Sequence, residues 1–234
     1  QTPQVVVRQS RKYLGMDPVL TLQDSLGNDI YYYQINAFDD EIYAEAIKAA
    51  DKAISCWPDR LDFRFMKTNA YIAYEKESPD MALSCLMSLI DENKTRKSTW
   101  EYEGDKVGQD FFQNAVQEYC FSFYSLGTTG GYEAFRTVSE KMSELFPDNP
   151  GFINNIGTYH LIAKNDYKTA YKYYNNVLKE HPDDYTAIKN GILAHMEMLD
   201  EPIAALVARF GDLMGDLFPE ISDIGEAADT AIAE

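Results

Sequence analysis

Three tyrosines in this chain each stand fifteen residues before a proline: Tyr43 before Pro58, Tyr132 before Pro147 and Tyr167 before Pro182. A residue three places after the tyrosine is small in two of the segments, Ala46 and Ala170, and the residue ten places after it is apolar in all three: Ala53, Met142 and Val177. Pro147 and Pro182 are 35 residues apart, and Pro182 and Pro219 are 37. Recurrence at such a period means that the chain is built from one supersecondary unit used several times.

Each position has a physical reason. Gly131 or Asp166 opens a turn and leads into a segment whose apolar residues recur every three to four positions, the period of one helix face. Ala170 removes bulk, so that a neighbouring helix backbone can approach. The closing proline, followed by Asp-Asp or Asp-Asn, stops one helix and supplies an acidic cap for the next. Before each tyrosine lies another apolar stretch ending in a short turn, as in GFINNIGTYHLIAKND. The unit is a helix, a tight turn and a second helix. Tyr167 and Tyr174 are then packing residues between helices, while Tyr171 and Tyr173 lie elsewhere on the helix, where partial exposure is expected.

The segment NPGFINNIGTYHLIAKNDYKTAYKYYNNVLKEHPDD, through Ile153, Ile156, Gly157, Tyr167, Ala170, Tyr174 and Pro182, resembles the tetratricopeptide repeat family. It carries one extra residue between Gly157 and Asp166. The copy ending at Pro58 matches only in its second helix, the copy ending at Pro147 has Phe135 where alanine is usual, and the copy through Ala82 has a longer turn and no closing proline. The segment ending at Pro219 matches weakly. The resemblance implies an all-α fold, a right-handed α-solenoid of antiparallel helix pairs, spanning 30–218 in four to five degenerate repeats. Helical pairs are expected near 19–57, 60–92, 109–146, 150–181 and 184–218. Residues 1–29 are expected as an arm or partial helix, 93–108 as a loop or irregular insertion, and 219–234 as an acidic tail or capping helix. Asn93-Lys94-Thr95 is a formal glycosylation sequon.

The search for chemistry is negative. His160, His181 and His195 are the three histidines, and no acidic residue recurs beside them at ligand spacing. SLGTTGGYEAF has the glycines of a phosphate loop without the lysine that should follow them. Cys56, Cys85 and Cys120 have no paired spacing and sit in apolar helical runs, where a buried thiol is common. A non-catalytic protein with no metal and no cofactor is expected.

Composition limits the partners. Phe, Tyr and Trp supply 13% of the 234 residues, enough for a substantial core, and no stretch is long and apolar enough to span a membrane. Net charge is −17 and unevenly placed. Residues 200–234 hold nine acids against Arg209, while the first eighteen hold Arg8, Arg11 and Lys12 against Asp17. Such a surface disfavours nucleic acid and anionic membrane, and attracts a basic partner. The polar start Gln1, Thr2, Pro3, Gln4 fits a position just after a removed leader, so export to a bacterial periplasm or medium is the expectation, with the cytoplasm as the alternative.

In tetratricopeptide proteins the first helix of each pair lines a concave face that cradles an extended peptide or a helix. Repeat register places Phe65, Asn69, Tyr124, Asn154, Thr158 and Lys189 there. The asparagines would bond a peptide backbone, and Phe65 and Tyr124 would hold apolar side chains. The leading reading is a protein or peptide scaffold. Two alternatives stand beside it: an exported carbohydrate or small-ligand binder that stacks sugars on exposed tyrosines, Trp57 or Trp100, and a structural component that self-assembles in a salt-sensitive way.

Overall fold

The computed structural model describes residues 2–13, 16–75, 78–95 and 100–198. The expected second helix of the last pair and the acidic tail lie outside the described residues. Within them the protein is mostly helical, with a three-stranded sheet at the N-terminal end and a short hairpin in the middle.

The sheet corrects the all-α expectation and stands in place of the first helix of the pair expected near 19–57. Strands β1 (Thr2–Arg8), β2 (Leu20–Gln23) and β3 (Asp29–Ala37) pair antiparallel in the order β1-β3-β2. Val5, Val6 and Val7 face Gln34, Tyr33 and Tyr32, and Leu22 faces Ile30. β-branched and aromatic residues dominate both runs and favour a pleated surface. Between β2 and β3, the Asp24 carboxylate accepts from the amides of Leu26 and Asn28, and Gly27 takes a φ of +83°. That turn chemistry closes a hairpin and stops a helix from continuing. Tyr33 is the buried anchor of the sheet: its hydroxyl donates to the Ser10 carbonyl at 2.7 Å and its ring meets Tyr13.

Eight helices follow among the described residues: α1 (Asp40–Cys56), α2 (Leu61–Tyr74), α3 (Asp80–Thr95), α4 (Gln109–Ser125), α5 (Thr129–Leu145), α6 (Pro150–Ile162), α7 (Tyr167–Glu180) and α8 (Tyr185–Met198). Their starts are capped by the residues that the turns supply. Asp39, Thr128, Asn149, Asp166 and Asp184 each accept from an amide of the first turn, and Pro150 stands directly after its cap. Helices α2 and α3, α4 and α5, and α6 and α7 pack as neighbours across short connections, which makes each pair antiparallel. Further contacts join α3 to α5, α5 to α6 and α7 to α8. No helix among the described residues is long and apolar enough to cross a membrane.

The expected irregular insertion contains a hairpin, β4 (Trp100–Tyr102) with β5 (Asp105–Val107). Its turn residues Glu103 and Gly104 both have positive φ, the geometry that follows the natural strand twist. Trp100 anchors it, buried against Phe112 and under the Arg64 guanidinium. The indole N–H donates to Asn93 Oδ1 at 2.7 Å, and the Asn93 and Gln109 carboxamides bond each other. Asn93 is therefore an interior residue, and its sequon is closed to a glycan.

Two buried clusters hold the helices. The larger runs from Leu61 and Phe65 through Leu86, Ile90, Phe112 and Phe123 to Val138, Met142 and Phe152. The smaller gathers Leu161, Ala170, Tyr174, Val177, Ala187 and Ala194. In it a Cβ built on Gly157 would lie 2.7 Å from Cε1 of Tyr174. The glycine and the ring occupy complementary space, and Ala170 is fully buried beside them.

Candidate functional site

Four helices, α2, α4, α6 and α8, carry the residues that repeat register selects. Their side chains have different fates. Phe65 is buried between Tyr102 and Tyr119, and its carbonyl accepts the Tyr119 hydroxyl at 3.2 Å. The hairpin supplies Tyr102, so the insertion covers the position that register leaves open. Asn154 is buried as well. Its Nδ2 donates to Asp184 Oδ1 at 3.0 Å, the same carboxylate oxygen that caps α8. Neither side chain is free to meet a ligand in this arrangement.

The other four remain at least partly accessible. Asn69 and Lys189 are exposed, and Tyr124 and Thr158 are half-buried. Tyr124 leans on Tyr132 and Phe135. The Thr158 hydroxyl donates to the Asn154 carbonyl and lies 3.2 Å from the Tyr174 hydroxyl.

Beside each accessible residue stands an exposed apolar one that the register misses. Met66 is three residues from Asn69, Phe121 three from Tyr124, Ile162 four from Thr158 and Ile192 three from Lys189. Spacings of three and four put each pair on one helix face. Met66 is 64% exposed, Phe121 65%, Ile192 57% and Ile162 42%. Met66, Phe121 and Ile162 each directly follow a buried residue, Phe65, Cys120 and Leu161, and so fall one place off the core period, a signal present in the sequence. In α8, whose buried residues are Ala187, Gly191 and Ala194, Ile188 and Ile192 keep a period of their own and give no such signal.

Carboxamides tie the same helices together. Gln117 of α4 and Asn155 of α6 exchange hydrogen bonds at 3.0 and 3.1 Å, and the Asn149 side chain, at the α6 cap, donates to Gln113 of α4 at 3.0 Å. Asn154 and Asp184 continue the connection to the start of α8. Gln117 is four residues before Phe121, and Asn155 is three before Thr158. The amide pair thus sits on the faces that carry the exposed residues and fixes their helices relative to each other.

A charge cluster lies elsewhere. Glu133 of α5 accepts from the Tyr159 hydroxyl, from Lys164 at 3.1 Å and from Arg136, which also pairs with Glu140. The Tyr159 bond, helped by the two cations, holds the Glu133 carboxyl down at about 2. All the partners are satisfied within the cluster, so it reads as an α5–α6 clasp rather than a reactive centre.

Two of the histidines are each taken up by a tyrosine: His160 stacks on Tyr173 at 5.6 Å and His195 meets Tyr171 at 5.2 Å. Burial lowers the His160 pKa below its ordinary value. Among the described residues no group of three or more His, Cys, Asp or Glu side chains is placed to hold a metal ion. Of the two tryptophans considered for sugar stacking, Trp100 is buried and Trp57 is exposed beside Phe63. Compared with known proteins, the chain matches no family model and no curated protein sequence.

Proposed function

We propose that the helix pairs stack as a right-handed solenoid of the tetratricopeptide type, and that the chain is a non-catalytic scaffold which holds a peptide or helix of a partner protein against α2, α4, α6 and α8. One observation carries the reading: each of these helices presents an exposed apolar residue next to a polar one, Met66 with Asn69, Phe121 with Tyr124, Ile162 with Thr158 and Ile192 with Lys189. Spaced apolar side chains are what an amphipathic helix or an extended peptide needs for anchoring. The neighbouring amide, hydroxyl and ammonium groups can bond its backbone. Gly157 against Tyr174 and the buried Ala170 support the repeat assignment, because small residues at those places permit close helix packing.

Burial of Phe121 and Met66 by a ligand contributes about 1.5–3 kcal/mol each. The test is selection of binders from a random peptide library, followed by titration against two variants. Phe121→Ala with Met66→Ala should weaken the selected peptides by at least tenfold while thermal stability stays close to that of the unsubstituted chain, since both side chains stand in solvent. Glu45→Ala, an exposed position on α1, a helix outside the proposed face, should leave binding unchanged. Peptides that bind the doubly substituted chain as well as the original would remove this face from consideration.

A further inference from the structure

We propose that residues 203–217 of this chain seat on an apolar face of α8 formed by Tyr185, Ile188, Ile192 and Met196, and that a partner peptide reaches Ile192 only by displacing them. Helix α6 shows what such a face meets. It is buried along two opposite stripes. Phe152 and Tyr159 belong to the larger cluster, and Tyr159 bonds Glu133 of α5. Gly157 and Leu161, on the other side, meet α7: Gly157 lies against the Tyr174 ring, and Leu161 shares the smaller cluster with Ala170 and Tyr174. Thirty-five residues further on, the period from Pro147 to Pro182, α8 repeats the first stripe as Ala187 and Ala194, both buried in the smaller cluster. The second stripe recurs as Ile192 and Met196, and there it is open. Tyr185 is 75% exposed, Ile188 39% and Met196 half-buried, and with Ile192 they fall at spacings of three and four on one face. Among the described residues no helix lies over it. A helix that is apolar on two opposite sides is an inner helix, with a neighbour on each.

The occupant follows from the chain that continues from α8. Residues 199–202 are a four-residue link, as long as the 163–166 link that joins α6 to α7. Links this short return the chain antiparallel along the helix it has just left. Beyond the link, Ile203, Leu206, Phe210, Leu213 and Leu217 recur at spacings of three, four, three and four, the period of one helix face. As a helix, 203–217 would be ~22 Å long, against ~21 Å for the fourteen residues of α8. Tethering favours this occupant over a free one, because a short link holds the segment at a local concentration on the order of millimolar. Ile192 also belongs to the peptide face proposed above, so displacement depends on the scaffold reading, while seating does not.

The test is maleimide labelling of the full chain carrying Ile192→Cys, with the exposed native Cys56 as internal standard. The introduced thiol should react slower than Cys56 by about tenfold or more, because it reacts only when the segment lifts. Adding Leu206→Asp with Phe210→Asp should bring it to the Cys56 rate, while the buried Cys120 stays unlabelled and so reports an intact core. Peptides selected on a chain with the two aspartates and Ile192 retained should bind the unsubstituted chain about tenfold more weakly. An introduced thiol as reactive as Cys56 before the aspartates are added, or still protected after, overturns the seating. So does protection that fades on dilution from about 100 µM to about 1 µM, which would assign the face to another copy. Equal peptide affinity for the two chains overturns the displacement. Failure of the scaffold reading shows separately, as binding indifferent to Phe121→Ala with Met66→Ala.

Discussion

Replacing Gly157 with alanine puts a methyl carbon 2.7 Å from Cε1, 2.9 Å from Cζ and 3.2 Å from Cδ1 of Tyr174. Ordinary carbon contacts begin near 3.5 Å, so the overlap is several tenths of an ångström. Tyr174 is fully buried and its hydroxyl lies 3.2 Å from that of Thr158, which leaves the ring little room to retreat. Overpacking of this sort costs about 1–3 kcal/mol, and the gain from removing a glycine inside a helix offsets about 1 kcal/mol of it. The expected net loss is up to about 2 kcal/mol. Gly191 provides the internal control, because its added Cβ would stand 3.4 Å from Tyr174 Cβ, an ordinary contact. Gly191→Ala should therefore stabilise, by up to about 1 kcal/mol. Urea unfolding followed by helical circular dichroism measures both changes, and the melting temperatures should separate by roughly 2–4 °C per kcal/mol. In a Tyr174→Leu background, which is itself destabilised by lost packing, Gly157→Ala should cease to be harmful. A Gly157→Ala chain stabilised as much as Gly191→Ala, or the same effect with and without the Tyr174 ring, would refute the close-approach reasoning.

Acidification should release the α5–α6 clasp. The Glu133 carboxyl is held at about 2 by the Tyr159 hydroxyl first, then by Lys164 and Arg136, against 4.5 for a free glutamate. Its stabilisation is complete above pH 4.5 and is lost as pH falls from there toward 2; solvent around the exposed carboxylate limits it to about 1 kcal/mol. Glu133→Gln should flatten the stability-against-pH curve in that window, and an unchanged curve would contradict the assignment. Asn93→Ala should leave the Trp100 indole N–H without its acceptor in a buried site, at a cost of about 1–3 kcal/mol, with a change in near-ultraviolet circular dichroism as the check. Thiol labelling of the native chain should be fast at the exposed Cys56, slower at half-buried Cys85, and absent at Cys120, whose pKa burial pushes up to about 12, until urea unfolds the protein.

The helical pairs over 60–92, 109–146 and 150–181 were legible because their information is local. Apolar residues at spacings of three and four, caps such as Asn149 and Asp166, and prolines after the last turn each act within a few residues. The same locality made Tyr174 and Ala170 readable as packing residues. The stretch before α1 was misjudged because one helix with tetratricopeptide spacing, Tyr43 to Pro58, invited a partner helix. The Asp24–Asn28 turn and the valine run set a sheet there instead. Cys56, placed with buried thiols by its apolar surroundings, is exposed, because α1 contributes no fully buried residue.

The candidate face divides along the same line. Which residues of α2, α4, α6 and α8 fall on one side of their own helix follows from 3.6-residue periodicity, and that much the amino-acid order determined. Whether such a side meets solvent depends on segments far away in the chain. The hairpin brings Tyr102 over Phe65, and the cap of α8 brings Asp184 to Asn154, while Met66 and Phe121 meet nothing comparable. Period is a property of neighbours in sequence, and burial a property of neighbours in space; only the tertiary structure decided the second.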